Sequence, residues 1–287
     1  MSRRRVVVTG MGAITPLGLS VEETWEGLVN GRSGVGPITL FDASNMAVRI
    51  AGEVQDFDPH RYRPAKEARR MARCSQLAVA AGVQAMADAG LGDHVPDPER
   101  AGVVMGTGVG GLDAAIAGWE LYKSKGARRV SPFVAMSSLC NMPAHHLSER
   151  FQCQAHNSTV VTACAAGTQG IGEATQAIRW GAADLMLAGG VEGTVTEVII
   201  SAFTGMRVLA GDNENPAKAC KPFDARRDGF ASAEGTAVMV LERLDKALDR
   251  GARIYAEVLG YSANSDAFHI AAPDPTGAGA IRVMRWA

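Results

Sequence analysis

Short apolar runs alternate along the chain with longer stretches in which apolar residues recur every three or four positions. Val6, Val7 and Val8 are β-branched and predict a buried strand that ends at Gly10. Ser20 has the character of a helix N-cap with Glu23 three residues on, and Gly31 should stop that helix at about Asn30. The clearest helical pattern spans residues 65–89. Met71, Cys74, Ala78, Ala81 and Ala85 fall on one face, and Gly90 closes it. A strand is expected at 101–105, followed by the glycine-rich turn 106–111 and another helix. Strand, helix and strand return at 158–163, 165–179 and 185–188, the last ending at Gly189-Gly190. Residues 236–242 predict a strand, 245–249 a short helix and 254–260 a further strand. The stretch 277–287 has the pattern of a helix with no stop signal. This alternation implies an α/β fold with mainly parallel pairing.

Composition changes this picture little. The 287 residues are 47% hydrophobic and 21% charged, enough for a substantial core. The net charge of -1 argues against a general nucleic-acid binder. Cys74, Cys140, Cys153, Cys164 and Cys220 contain no C-x-x-C pair, which favours free thiols in a reducing compartment. No apolar run is long enough to span a membrane. Arg3, Arg4 and Arg5 before the valines resemble the start of a signal peptide. Thr9, Gly10, Gly12, Thr15 and Pro16 break the apolar stretch, so a first strand and a cytoplasmic protein are expected.

Candidate chemistry centres on VVTACAAGT, residues 160–168. A strand runs into a sharp turn bearing Cys164, and a helix begins at once. Such an elbow exposes a nucleophile, small neighbours let substrate approach, and a helix N-terminus favours a thiolate and a developing oxyanion. A buried, inert cysteine is the competing reading, and spacing alone leaves both open. Gly106, Gly108 and Gly111 fit G-x-G-x-x-G, but no strand ending in Asp or Glu follows at the distance a dinucleotide site needs. Cys140, His145, His146, Cys153 and His156 are dense in metal-ligand types, yet their spacing matches no standard zinc pattern.

Seven segments resemble, in order, those of type II β-ketoacyl-[acyl-carrier-protein] synthases. They are VVVTGMGAITPLG from residue 6, FDAS from 41, GTGVGG from 106, VSPF from 130, TACAAGTQGIGEA from 162, PFDARRDGF from 222 and RIYAEVLGYSANSDAFH from 253. The resemblance implies a thiolase-like fold of two similar halves in five αβαβα layers. Residues 1–250 would form the N-terminal half with the nucleophile, and 251–287 the start of the second half. It also implies a decarboxylating Claisen condensation in fatty acid elongation. Cys164 would accept the acyl group, and Val109 and Phe203 would line the acyl pocket and its approach. No cofactor is implied, because acyl groups arrive on the phosphopantetheine arm of acyl carrier protein. That carrier is acidic. Lys66, Arg69, Arg70, Arg128, Arg129 and Arg207 match basic residues the family uses near its pocket mouth, and Lys66, Arg69, Arg70 and Arg73 have helical spacing. A homodimer is implied, with neither nucleic acid nor membrane as partner.

The resemblance is incomplete. The family's two catalytic histidines, in HGTST-like and GHxxGAAG-like segments, and the lysine between them have no counterpart, and His269 belongs to neither motif. Most of the second half is expected to be missing, through an incomplete sequence, a truncated paralogue or a scaffold that keeps acyl binding. Ala155-His156, Ala233 and Ala210-Gly211 also depart from the family's usual Gly-Pro, Gly and Ser-Thr. The alternatives are a non-catalytic partner of a complete ketosynthase and a polyketide ketosynthase.

Overall fold

A computed structural model describes residues 4–287, so Arg3 of the amino-terminal arginine run lies outside the described residues. The strands are β1 (Val6–Ile14), β2 (Val35–Pro37), β3 (Ile50–Gly52), β4 (Ala101–Gly106), β5 (Asn157–Val160), β6 (Leu185–Glu192), β7 (Gly235–Arg243) and β8 (Ala256–Glu257). The helices are α1 (Val21–Val29), α2 (Ala65–Ala68), α3 (Arg73–Asp88), α4 (Leu112–Lys125), α5 (Val134–Ser137), α6 (Met142–Phe151), α7 (Ala166–Trp180), α8 (Glu197–Gly205), α9 (Leu244–Asp249) and α10 (Ala278–Trp286).

Six strands form one sheet in the order β5-β4-β6-β7-β1-β8, and β2 pairs with β3 separately. The β4–β5 and β4–β6 pairs are parallel. The β6–β7, β7–β1 and β1–β8 pairs are antiparallel. The sheet is therefore mixed, against the expectation of mainly parallel pairing. Alternating elements dictate layers, but strand direction depends on where each connection re-enters the sheet. The long excursion from β6 returns as β7 alongside it and reverses the direction.

Helices cover both faces. On one, Leu77, Ala81 and Ala85 of α3 and Leu147 and Phe151 of α6 pack on Val103, Met105, Leu187 and Val240. On the other, Ala174, Ala177 and Ile178 of α7 meet Val6, Val104, Met186 and Leu241. A smaller apolar cluster joins Ile50 to Ile200 and Leu209. The result is a helix–sheet–helix sandwich, the repeating unit of the layered fold expected from the resemblance.

Glycines lengthen two strands beyond their expected ends. β1 runs on to Ile14, and β6 runs through Gly189-Gly190 to Glu192. A Cβ on Gly12 would run into the Ala81 carbonyl of α3, and one on Gly190 into Gly167 at the start of α7. These positions mark close approach of helix to sheet rather than strand ends. α3 also closes a sheet edge. Beyond the short β8, the Met11 and Ala13 amides of β1 donate to Asp88 at 2.9 Å and to Gln84 at 3.1 Å.

The single helix expected over residues 65–89 is two. Ala72 is extended, with φ -67 and ψ 158, so α2 ends and α3 starts afresh at Arg73. Asp113 of α4 accepts the Arg73 amide at 2.9 Å, capping α3 from another element. The stripe of Lys66, Arg69, Arg70 and Arg73 is broken accordingly. Arg73 turns inward to Glu234 at 2.9 Å and lies over the Phe57 ring. The capping signals at α1 are observed. Ser20 accepts the Glu23 amide, while the Glu23 carboxylate accepts the Leu19 amide rather than that of Ser20.

Candidate active site

β5 ends at Val160, three residues before the expected limit, because the chain then bends. Thr162 has φ -130 and ψ 43, and Ala163 has φ 48, a left-handed conformation rare for a residue with a side chain. One 3-10 turn, Ala163–Ala165, carries Cys164 directly into α7. Small residues permit this tight junction. A Cβ on Gly106 would strike the Ala166 carbonyl, and Gly167 lies against Gly190. Cys164 is consequently exposed at the tip of the elbow.

Cys164 borders two open clefts. One, of ≈ 410 Å³, is formed with Pro16, Thr107, Val191, Glu192 and Ala237. The other, of ≈ 830 Å³, is formed with the segment 264–273, including Phe268, His269 and Ile270. The sequence context of His269 assigns it no role, yet it is the histidine on this wall. Its Nδ1 accepts the amides of Ala271 and Ala272, each at 3.1 Å.

Glu192 is the residue that sequence reasoning missed. Its Oε1 accepts Thr107 Oγ1 at 2.8 Å and the Gly108 amide, and Oε2 accepts Thr194 Oγ1 at 3.4 Å. Thr107 Oγ1 in turn accepts the Gly110 amide at 3.0 Å. The G-x-G-x-x-G loop thus directs its amides to a carboxylate and a hydroxyl of this chain. The available signal is an acidic residue closing the apolar run LMLAGGV.

The other thiols differ in setting. Burial pushes Cys74 up to about 12, with the Asp113 charge adding to it, and burial alone pushes Cys153 up to about 12. Cys140 is half-buried with its Sγ 3.7 Å from the Val109 carbonyl, and Cys220 is exposed. Val109 lies in the loop after β4. Phe203, on α8, packs edge-on against Phe230 at 5.4 Å. Neither borders the two clefts at Cys164. Lys66, Arg69, Arg70, Arg128, Arg129 and Arg207 are all exposed. Arg70 stacks over Phe133 at 4.2 Å, tying the segment around α2 to the one that follows Arg128 and Arg129. His145 and His146 adjoin on α6, and burial, then the neighbouring His145 and Arg63 charges, bring His146 down to about 4. Among the described residues no three His, Cys, Asp or Glu side chains gather as a metal site.

A helix–sheet–helix half with a cysteine elbow at a strand–helix junction defines a thiolase-like condensing-enzyme scaffold. The profile of the β-ketoacyl synthase N-terminal domain matches residues 3–247, and the chain belongs to that family. It is 43% identical over 287 residues to 3-oxoacyl-[acyl-carrier-protein] synthase 2 of Synechocystis sp., covering 100% of this chain and 69% of that protein. It is 43% identical over 284 residues to the enzyme of the same name from Vibrio harveyi, covering 99% and 68%. Among solved structures, the ishigamide ketosynthase/chain length factor superposes with a TM-score of 0.88 at 35% identity, over 100% of this chain and 69% of that one. A β-ketoacyl synthase from Burkholderia phymatum gives 0.87 at 32%, over 99% and 69%. A third structure, AntDE:AntF, is a type II polyketide acyl carrier protein in complex with its ketosynthase, with a TM-score of 0.84 at 31% identity, over 99% and 69%.

Proposed function

We propose that this chain carries the acyl-accepting centre of a β-ketoacyl-[acyl-carrier-protein] synthase acting in fatty acid elongation. The Cys164 thiolate attacks the thioester carbonyl of an acyl carrier protein. The phosphopantetheine thiol departs, and the acyl group remains on sulfur. Malonyl carrier protein then loses carbon dioxide, and its α-carbon attacks the acyl-enzyme carbonyl. A carbon–carbon bond forms and the Cys164 thiolate is released. No cofactor enters this scheme. Residues 1–250 make up the nucleophile-bearing half and 251–287 the beginning of the second.

The observation that carries this reading is the elbow. Strain at Ala163 and a helix start at Ala166 hold one exposed thiol at the meeting of two clefts. Val109 and Phe203 are assigned to the acyl pocket by resemblance. Lys66, Arg69, Arg70, Arg128, Arg129 and Arg207 are assigned to docking of the acidic carrier, supported by their exposure. A homodimer suits β5, an edge strand with β4 as its one neighbour among the described residues. A cytoplasmic location fits five free cysteines. Among the described residues no helix is long and apolar enough to cross a membrane.

Incubation with acylated carrier protein tests the reading. Intact mass should rise by one acyl group, which maps to Cys164 and is lost in Cys164→Ala. Acylation elsewhere, or none, would overturn it. A polyketide role is the second reading, supported by the type II polyketide ketosynthase complex among the structural relatives. Preference for β-ketoacyl over saturated acyl carriers would favour it.

A further inference from the structure

The cleft beside Cys164 is bordered by Gly106 and Thr107, where β4 passes into the loop 107–111, and by Gly190, Val191 and Glu192 at the end of the neighbouring strand β6. The loop is rich in glycine and has little internal stiffness. At its base the Thr107 amide donates to the Val160 carbonyl of β5 at 3.0 Å. Farther along, it is held by a side chain from the end of β6, the strand that pairs with β4. Glu192 Oε1 takes both the Thr107 hydroxyl and the Gly108 amide, and Thr107 Oγ1 also takes the Gly110 amide. Gly108 is close to both partners. A Cβ placed there would lie 3.4 Å from Glu192 Oε1 and 3.5 Å from Ala163 Cα. Glu192 forms no ion pair among the described residues, so its charge is directed to these neutral donors. A carboxylate accepting several hydrogen bonds holds its donors more firmly than a neutral acceptor.

We propose that Glu192 is a positioning residue that fixes the width of the cleft beside Cys164, and so the bulk of the group this thiol accepts. The inference rests on Cys164 as the acyl acceptor. Its physical core, a carboxylate latch from the end of β6 to the loop beside the cleft, is independent of which acyl donor is used. Both latch bonds end on one oxygen. Glutamine keeps one carbonyl oxygen in the same place and can hold them, whereas alanine releases the loop. Widening should help bulky groups and leave small ones unaffected.

The test uses the 287-residue chain with Glu192→Ala, Glu192→Gln and Thr107→Val. Alkylation rates at Cys164 are followed by peptide mapping with iodoacetamide and with its neutral N-ethyl and N-dodecyl derivatives. In Glu192→Ala the dodecyl-to-ethyl rate ratio should rise about tenfold, the scale on which a pocket senses a methylene. The iodoacetamide rate should hold, and Glu192→Gln should keep the wild-type ratio. Thr107→Val, which loses one latch bond, should move the ratio in the same direction as alanine. An unchanged ratio in alanine overturns the proposal. So does a parallel loss of all three rates, which would mean the elbow itself is disturbed, or a glutamine variant that behaves like alanine. If Glu192→Ala fails to fold by circular dichroism, an unchanged ratio in Thr107→Val overturns it equally. Acylation by carrier protein is measured alongside. Its failure in the wild type would remove the ketosynthase reading, while the alkylation ratios would still decide whether Glu192 sets the width of the cleft.

Discussion

Burial separates the thiols before any chemistry does. Cys74 and Cys153, pushed up to about 12, hold almost no thiolate near neutral pH and have no path to reagent. Cys164 and Cys220 are both exposed, so the contest lies between them. Cys164 alone sits behind a strained residue at the start of a long helix, whose dipole attracts negative charge. Limited iodoacetamide labelling near neutral pH should therefore modify Cys164 first and leave Cys74 and Cys153 untouched. Earlier modification of Cys220 would show that exposure, not the elbow, governs reactivity. Glu234 offers a second residue-scale test. Its side chain is 1% exposed, and it accepts the Val54 amide and two bonds from Arg73. Glu234→Ala would leave Arg73 with an uncompensated, largely buried charge. Removing one partner of such a pair costs about 3 kcal/mol. A urea melt that moves by less than a third of that would mean water reaches Arg73 freely.

At the scale of elements, α3 depends on a cap supplied by another helix. Asp113 accepts the Arg73 amide, and Asp113→Ala should cost about 1 kcal/mol, as loss of a cap does. Burial raises the Asp113 carboxyl above its ordinary value, although Arg73 and nearby amides oppose this. An acid with a raised folded pKa contributes stability below its unfolded pKa and loses it as pH rises through the folded value. Asp113→Asn keeps the acceptor oxygen without that loss. It should match the wild type near neutral pH or exceed it, and fall behind only in acid. Equal loss from alanine and asparagine in thermal melts at neutral pH would remove the capping role. This cap also explains what the sequence hides. Apolar spacing across residues 65–89 is continuous, and Met71 and Ala72 are indeed buried, so nothing local announces a break that Asp113 stabilises from forty residues away. The elbow is legible because strand, small residues and helix follow one another locally. Glu192 is not, because Thr107 and Gly108 reach it from the loop after β4, some eighty-five residues distant. Strand direction is hidden for the same reason.

For the whole molecule, the net charge of -1 conceals exposed arginines on the segments joined by the Arg70–Phe133 stack. Binding to an acidic carrier protein should weaken with added salt, and Arg69→Glu with Arg70→Glu should slow association more than it speeds release. Binding that ignores both salt and the double reversal would exclude this surface. Condensation makes a further demand. When carbon dioxide leaves malonyl carrier protein, the electron pair left on carbon and its thioester oxygen needs donors or positive charge close by. His145 and His146 line a separate pocket, and His60, His94 and His156 are exposed and border neither cleft at Cys164. His269 does border one, but its Nδ1 is committed to two amides, and the surrounding segment brings no second histidine or lysine. The 287-residue chain should therefore accept an acyl group on Cys164 without condensing it. Acyl-primed protein mixed with malonyl carrier protein should release carbon dioxide no faster than a blank, and His269→Ala should leave acyl transfer unchanged. Release of carbon dioxide that disappears with His269→Ala would mean that this ring, on the cleft wall beside Cys164, itself stabilises the charge left by decarboxylation.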